Sequence, residues 1–390
     1  MRRVGVNLLW LVPGVVGGSE EYTTRLLRGV AEKAPPDLAL TLFVLRPFLA
    51  AHPELSAAHR TVVLGLSGRN KVARVAAEST WLASESRRRG VELMHHAGGI
   101  LPTVRTAPAV LTIHDLQPLV LPENFSPLKR TFARTMVPRS ARAARLVVTP
   151  SEHARRSVIS RLGVAPGRVR VVPHGIDPAE AARRPGRTGA EVRARYRLAG
   201  PFFLFPAITY PPKNHLVLVR AFARLAKAEP TALLVLPGAA GPAEEALTAE
   251  IDRLDVADRV RRLGRIPWSD LDTLYREAAA LTFPSRFEGF VAPVLEAMSR
   301  GCPVLAADAT ALPEVVGDAG LLLPPDDSEE WCRAMIAVLD DAERRRRAGS
   351  AGLARAAEFG WGRAAGALLN AYRTAFDGPS LDGPSLDGPA

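Results

Sequence analysis

Short apolar runs that alternate with helix-like segments constrain this chain more than any other feature. Residues 4–11 are nearly all apolar, the stretch PGVVGGSE (13–20) follows, and a helix is expected from about Glu20 to Ala34 before a second apolar run at 38–45. Further strands are expected at 61–64, 91–95, 109–113, 146–149 and 169–172. Strands that read as continuous apolar runs are buried on both faces, and helices between them supply the cover, so the pattern calls for a parallel sheet. The segment HGIDPAEAARRPGRTGAE (174–191), rich in glycine, proline and charge, interrupts this rhythm and is the natural linker. A second set of strands follows at about 202–206, 232–236, 260–263, 280–283, 303–306 and 320–323. The expected fold class is therefore α/β, with two doubly wound, Rossmann-like parallel-sheet domains at 1–185 and 186–361. A final helix is expected at 362–376, and the repeat DGPSLDGPSLDGPA (377–390) has no core-forming pattern and reads as a disordered tail.

Length and composition narrow the function. A chain of 390 residues is long for one core, and its apolar fraction of 47% is that of an ordinary globular protein. No run approaches the 18 or so uninterrupted apolar residues of a spanning helix, and a buried first strand accounts for the apolar opening. Two cysteines, Cys302 and Cys332, make no disulfide framework and read as small buried hydrophobes in a reducing cytoplasm. Charge is uneven: residues 1–190 hold 28 Lys+Arg against 13 Asp+Glu (28 − 13 = +15), and residues 191–390 hold 23 against 27 (23 − 27 = −4). The basic half suits an anionic lipid surface or a phosphate-bearing acceptor, and equally a solvated arginine-rich helix face. Nucleic acid is disfavoured, because few aromatics are interleaved with the basic runs. The expected location is the cytoplasm, with peripheral contact at the inner membrane face open to the basic domain.

The most informative string is PSRFEGFVAPVLEAMSRGCPVLAAD (284–308). Pro293 suits the first position of a helix and Gly301 the position just past its end, so a helix is expected at about 293–300. Glu288 then lies in the preceding loop and Glu296 in the first turn or so, bracketing a helix N-terminus whose amides suit a phosphate while the carboxylates accept from sugar hydroxyls. Strand-to-helix loops at the carboxyl ends of parallel strands are where ligands bind. Gly17 and Gly18 occupy one such loop, with Ser19 placed to cap the next helix, although a plain tight turn fits the pair as well. His114 and Asp115 occupy another; the pair suits sugar hydroxyls, or Asp115 simply caps a turn. In YPPKNH (210–215), Lys213 can meet a diphosphate as a point charge. His95 and His96 lack a complete metal set. Asp270 and Asp272 have the spacing of a metal-binding pair, but PWSDLDTLYREAA reads as Ser269 capping a helix with an acidic first turn. No divalent metal or separate cofactor is called for.

The 284–308 string resembles the signature of retaining glycosyltransferases of the GT-B, family 4 type, in which two glutamates are separated by seven residues. TIHDLQPLVLPENFSP (112–127) is similar to the matching part of mannosyl- and rhamnosyltransferases of that family, and other matches run through most of the chain. The resemblance implies a GT-B fold with two domains facing across a cleft, and a last helix that returns to the first domain. It implies that the glycine loop lines the cleft and that His114 faces the donor sugar. It implies further that Arg265 and Ile266, in GRI (264–266), bring backbone near the nucleotide base, and that Gly289, Phe290, Val291 and Ala292 present amides to the donor. Two positions depart from the family pattern. Ile208 stands where many relatives carry arginine, and Val291 where most carry glycine.

The expected activity is metal-independent transfer of a hexose, mannose or rhamnose before others, from a GDP-, dTDP- or UDP-linked donor to a glycan, lipid-linked or small-molecule acceptor, with retention. Lys213 and the amides of 289–292 would steady the departing diphosphate, Glu288 the hexose hydroxyls and Glu296 the ribose. Alternatives are a decayed nucleotide-sugar-binding protein, a sugar-nucleotide epimerase of the same fold and, less favoured, a hydrolase that uses the glutamates as an acid–nucleophile pair.

Overall fold

The computed structural model describes residues 1–177 and 186–378. The chain divides into two compact units, the first made of Met1–Gly175 together with the stretch from Trp361 onward, the second of Ile176–Gly360. The division thus falls nearer the start of the 174–191 segment than the 185/186 boundary read from the sequence. Residues 178–185 of that segment, and residues 379–390 of the expected tail, lie outside the described residues.

The first unit holds a seven-stranded sheet formed by β1 (Arg2–Asn7), β2 (Leu38–Leu45), β3 (Arg60–Leu64), β4 (Leu93–His96), β5 (Ala109–Thr112), β6 (Leu146–Thr149) and β7 (Val169–Val171). Their order is β3-β2-β1-β4-β5-β6-β7, and every pair is parallel. The order reverses between β1 and β4, the point at which an open parallel sheet leaves a crevice beyond its strands' carboxyl ends. β1 stops at Asn7, short of the expected Leu11, because the Asn7 side-chain oxygen accepts from the Leu9 amide at 3.1 Å and turns the chain. Leu8, Leu9 and Leu11 stay fully buried despite leaving the strand, which is why their apolar run looked like strand from sequence.

The last helix, Trp361–Asp377, belongs to this first unit. It packs on the helix Gly18–Lys33 so closely that a Cβ at Gly29 would sit 3.0 Å from the Trp361 carbonyl oxygen and 3.2 Å from Ala365 Cβ. Ala364, Leu368 and Tyr372 bury that face, and the Tyr372 hydroxyl bonds His95 Nδ1 at 2.8 Å. Each large apolar side chain so buried contributes about 1.5–3 kcal/mol.

The second unit holds a six-stranded sheet of β8 (Phe202–Leu204), β9 (Leu233–Pro237), β10 (Val260–Gly264), β11 (Ala280–Phe283), β12 (Val304–Ala307) and β13 (Leu321–Leu323). Its order, β10-β9-β8-β11-β12-β13, is again wholly parallel and reverses between β8 and β11. All thirteen expected strands are present, most within two residues of their predicted ends. Phe202, Phe203, Phe205, Phe222, Phe283 and Trp331 fill the core. The amphipathic helix His215–Ala228 buries its apolar stripe, including Leu218, Phe222 and Leu225, in this core and lies against the helix Ser328–Asp340, whose first turn Asp327 caps by accepting from the Glu329 and Glu330 amides. Cys302 and Cys332 are free and buried, and burial pushes the Cys302 thiol up to about 12. No helix among the described residues is long and apolar enough to cross a membrane.

Candidate active site

In the second unit the loops that leave β8 and β11 meet where the strand order reverses. A short 3-10 turn, Pro211–Lys213, ends in Lys213, so the lysine precedes the helix rather than beginning it. Asn214 follows with a left-handed φ of 59°, and its buried carboxamide donates to the Pro325 carbonyl at 2.6 Å, fixing the turn. From the other side, Ser285 Oγ and the Arg286 amide both donate to the Pro212 carbonyl, at 3.1 and 2.8 Å, which ties the 284–288 loop to the lysine's turn. The Glu288 amide donates to Thr310 Oγ1 at 3.0 Å. These ties bring together two residues 75 positions apart: Lys213 Nζ donates to Glu288 Oε1 at 2.5 Å, with the ammonium 5.5 Å from the Phe283 ring centroid.

The helix that carries the second glutamate runs Ala292–Met298, with Val291 as its N-cap and Gly301 at φ 70° just past its end. It starts one residue earlier than expected, and Glu296 falls beyond the first turn, which holds no acid. Glu296 is buried and accepts from the Tyr275 hydroxyl at 2.8 Å; burial first, and then this carboxylate, push the Tyr275 pKa well up. Glu288 thus precedes the helix, as expected, and Glu296 lies within it but past its first turn. Glu288 is a loop acid on a lysine, while Glu296 is a buried acid held by a tyrosine. Val291 is 1% exposed and packs into the core, so what it can offer a ligand is its amide. Gly289 is buried, whereas Phe290 and Ala292 are half-buried. Arg265 is exposed in the loop after β10, and Ile266 packs partly on the core. Ile208 is exposed.

The aspartate pair is explained otherwise than by capping. Pro267 precedes the helix Trp268–Glu277, and Ser269 sits inside it with no cap hydrogen bond. Asp270 is wholly buried under Arg187, whose Nη1 reaches both its oxygens at 3.1 Å, and it accepts from the Tyr196 hydroxyl at 2.6 Å. Asp272 is paired with Arg300 at 2.7 Å and Arg276 at 3.0 Å. Both carboxylates hold the domain together. Among the described residues no group of three or more His, Cys, Asp or Glu side chains is placed to hold a metal ion.

In the first unit, Gly17 is the N-cap of the helix Gly18–Lys33 with φ 64°, and Ser19 lies inside the helix without capping it. A Cβ at Gly17 or Gly18 would meet nothing within 4 Å, so these glycines serve a backbone turn beside open space rather than close packing. His114 follows β5; its ring lies edge-on to Tyr22 at 5.3 Å, its Nε2 is buried without a hydrogen-bond partner, and burial pushes its pKa down to about 4. Asp115 accepts from the Gln117 amide at 2.8 Å, the turn-capping role. His95 is held by Tyr372 at 2.8 Å and Thr112 at 2.7 Å.

Sequence reasoning missed a group where this first sheet reverses. The Asn7 side chain, at the end of β1, lies 3.2 Å from His96 Nδ1 at the end of β4 and also bonds Glu78, whose pKa burial pushes up to about 7. No motif marks Glu78; only its placement in an otherwise small and apolar run, VAAES, hinted at burial. Tyr275, Asn214 and Thr310 were likewise unmarked, because their partners are distant in sequence.

Two family models match the chain: "Glycosyltransferase Family 4" over residues 16–180 and "Glycosyl transferases group 1" over 194–355. The chain is 30% identical over 284 residues to O-antigen chain mannosyltransferase B of Escherichia coli, covering 72% of this chain and 74% of that protein. It is 34% identical over 251 residues to D-inositol 3-phosphate glycosyltransferase of Kineococcus radiotolerans, covering 60% of this chain and 58% of that one. Among solved structures it is similar to sucrose-phosphate synthase from Thermosynechococcus elongatus, with a TM-score of 0.74, 21% identity, and coverage of 97% of this chain and 100% of that one. It is similar also to Anabaena HepE in complex with UDP-glucose, with a TM-score of 0.71, 20% identity, and coverage of 97% and 99%.

Proposed function

On the premise that the chain belongs to glycosyltransferase family 4 and has the GT-B fold, we propose that it transfers a hexosyl group from a nucleotide-sugar to an acceptor hydroxyl with retention at the anomeric carbon. The observation that carries this reading is the Lys213–Glu288 pair at the point where the second sheet's strand order reverses. In the reaction the bond between the anomeric carbon and the diphosphate oxygen breaks while the acceptor oxygen bonds to that carbon. The acceptor proton passes to the leaving phosphate, so attack and departure share one face and no protein nucleophile is needed. Negative charge grows on the diphosphate as the bond breaks, and Lys213, moving from Glu288 to the phosphate, offsets it. Glu288 is then released to accept from hexose hydroxyls. Glu296, steadied by Tyr275, accepts from the ribose hydroxyls; on the first unit His114, neutral at pH 7, serves a sugar hydroxyl.

Similarity to a mannosyltransferase favours GDP-mannose as donor, while the UDP-glucose complex of HepE keeps a UDP-linked donor in view. The acceptor is a hydroxyl of a glycan, a lipid-linked glycan or a small molecule. A thermal-shift panel of GDP-mannose, dTDP-rhamnose and UDP-glucose tests the donor assignment. A donor at 100 times its Kd adds about 2.7 kcal/mol and raises Tm, whereas a panel that leaves Tm unmoved would reject it.

A further inference from the structure

We propose that the first unit docks on an anionic phospholipid bilayer through the segments that leave the carboxyl ends of β3, β4 and β5. The inference rests on the transferase reading above and names the surface at which the acceptor is met. The helix Lys71–Ser79, which follows β3, is turned inside out: Val72 is 80% exposed and Val75 is exposed too, while Glu78 faces inward onto the Asn7 side chain. A helix in water ordinarily does the reverse, burying its valines and showing its acid to solvent. The pattern recurs nearby. Val104 is exposed in the loop that leaves β4, and Leu128, 82% exposed, stands one turn from the exposed Phe132 on the helix Pro127–Ala143. That helix is anchored by its other face, where Ala133, Ser140 and Ala141 are buried. Hydrogen bonds gather the segments: the Thr103 amide donates to Ser79 Oγ at 3.2 Å and the Leu101 amide to Ser140 Oγ at 3.0 Å, so the loop after β4 holds both helices. Glu78 reaches Asn7, the last residue of β1, which places the group at the end of the first sheet where the strand order reverses.

Charge identifies the occupant. Arg69, Lys71, Arg105, Lys129 and Arg134 are exposed in the same segments, and among the described residues none of the five forms an ion pair. The acids there are Asp115, Glu123 and the inward-facing Glu78, and the helix Pro127–Ala143 has none. Exposed apolar side chains set among unpaired cations match an anionic bilayer, which takes the first among its acyl chains and the second at its phosphates. A second copy of this chain would instead set the same cations against one another. A crevice held at the bilayer meets a lipid-linked acceptor directly, and that class is thereby selected from the three above.

The test is flotation of the full-length chain with vesicles of phosphatidylcholine, alone or with about a third phosphatidylglycerol, at physiological salt. Wild type should float with the phosphatidylglycerol vesicles and stay behind with the neutral ones. Val72→Ser with Val75→Ser, and Leu128→Ser with Phe132→Ser, should each lower partition about tenfold or more, as should Lys129→Ala with Arg134→Ala. These side chains are exposed, so Tm should stay near the wild-type value in all three pairs. Leu353→Ser, which changes an exposed leucine on the second unit, should float as wild type does. No flotation, self-association in its place, an equal loss in Leu353→Ser, or flotation that survives both serine pairs would overturn the docking surface and leave the transferase reading intact. Flotation of a wild-type chain that turns over no donor would instead remove the transferase reading and leave the docking surface standing.

Discussion

The two sheets are furnished in opposite ways where their strand orders reverse. In the second unit the reversal carries fixed charge, Lys213 on Glu288. In the first it carries histidines that burial holds neutral, His95 and His96 pushed down to about 3 and His114 and His174 to about 4, together with Glu78, whose carboxyl burial pushes up to about 7. Charge that can change partners suits a ligand that is itself charged, such as a diphosphate. Uncharged donors and acceptors suit hydroxyls, whose binding demands direction rather than field. The same strand-and-helix architecture thus carries a charged pair at one reversal and buried neutral histidines near the other.

The comparison breaks most easily at its charged side. Lys213→Ala removes the cation proposed to offset leaving-group charge and takes away the lysine partner of Glu288, so kcat/KM for the donor should fall by about 100-fold or more. A loss below threefold in steady-state assays would place the charge elsewhere. Glu296→Ala should raise the Kd for the donor about tenfold or more, and Tyr275→Phe should do so less, since it only removes the hydroxyl that steadies the carboxylate. Equal donor titrations for wild type and Glu296→Ala would remove the ribose assignment.

The neutral side is tested by acid. The folded pKa values of the four first-unit histidines lie below the ordinary value of 6.5, so the folded chain holds them neutral while the unfolded chain takes up protons. Their contribution to stability is whole above pH 6.5 and is lost as pH falls from there toward 4 for His114 and His174 and toward 3 for His95 and His96. The second unit has one such strongly shifted histidine among the described residues, His215, so peptide-resolved hydrogen exchange between pH 7.5 and 5 should show the first unit loosening first. Simultaneous loosening would blur the contrast. The smallest effect concerns Glu78, whose folded pKa is raised from its ordinary 4.5, so that its protonated form is favoured by the fold and stability is lost as pH rises through about 7. Glu78→Gln removes that loss, and its Tm relative to wild type should climb between about pH 4.5 and 7 and level off above; a flat difference across that range would mean the carboxyl is not buried as described.

Much of this architecture was legible in the sequence because it depends on local pattern. Continuous apolar runs located all thirteen strands, and the helix 361–377 was foreseen to within one residue at each end. The failures have a common cause. Ser19 and Ser269 looked like helix caps, but Gly17 and Pro267 take those positions. Asp270 is a first-turn acid as expected and Asp272 is not, and what the sequence did not show is that both are claimed by arginines, among them Arg187, 83 positions from Asp270, and Arg300, 28 positions from Asp272. Glu288 and Glu296 were recognised as a pair, and their different environments depend on Lys213 and Tyr275, which no spacing rule connects to them. Sequence periodicity reports which face is buried; it is silent on which distant side chain meets a buried polar atom.

The central claim is that the charged reversal in the second unit holds a nucleotide-sugar whose glycosidic bond the chain breaks. Release of nucleoside diphosphate from GDP-mannose, dTDP-rhamnose and UDP-glucose, measured with wild-type protein alone and with candidate hydroxyl acceptors, tests it most directly. The account predicts turnover of at least one donor, accelerated by an acceptor that becomes glycosylated. Binding of nucleotide with no release of sugar from any of the three would contradict it.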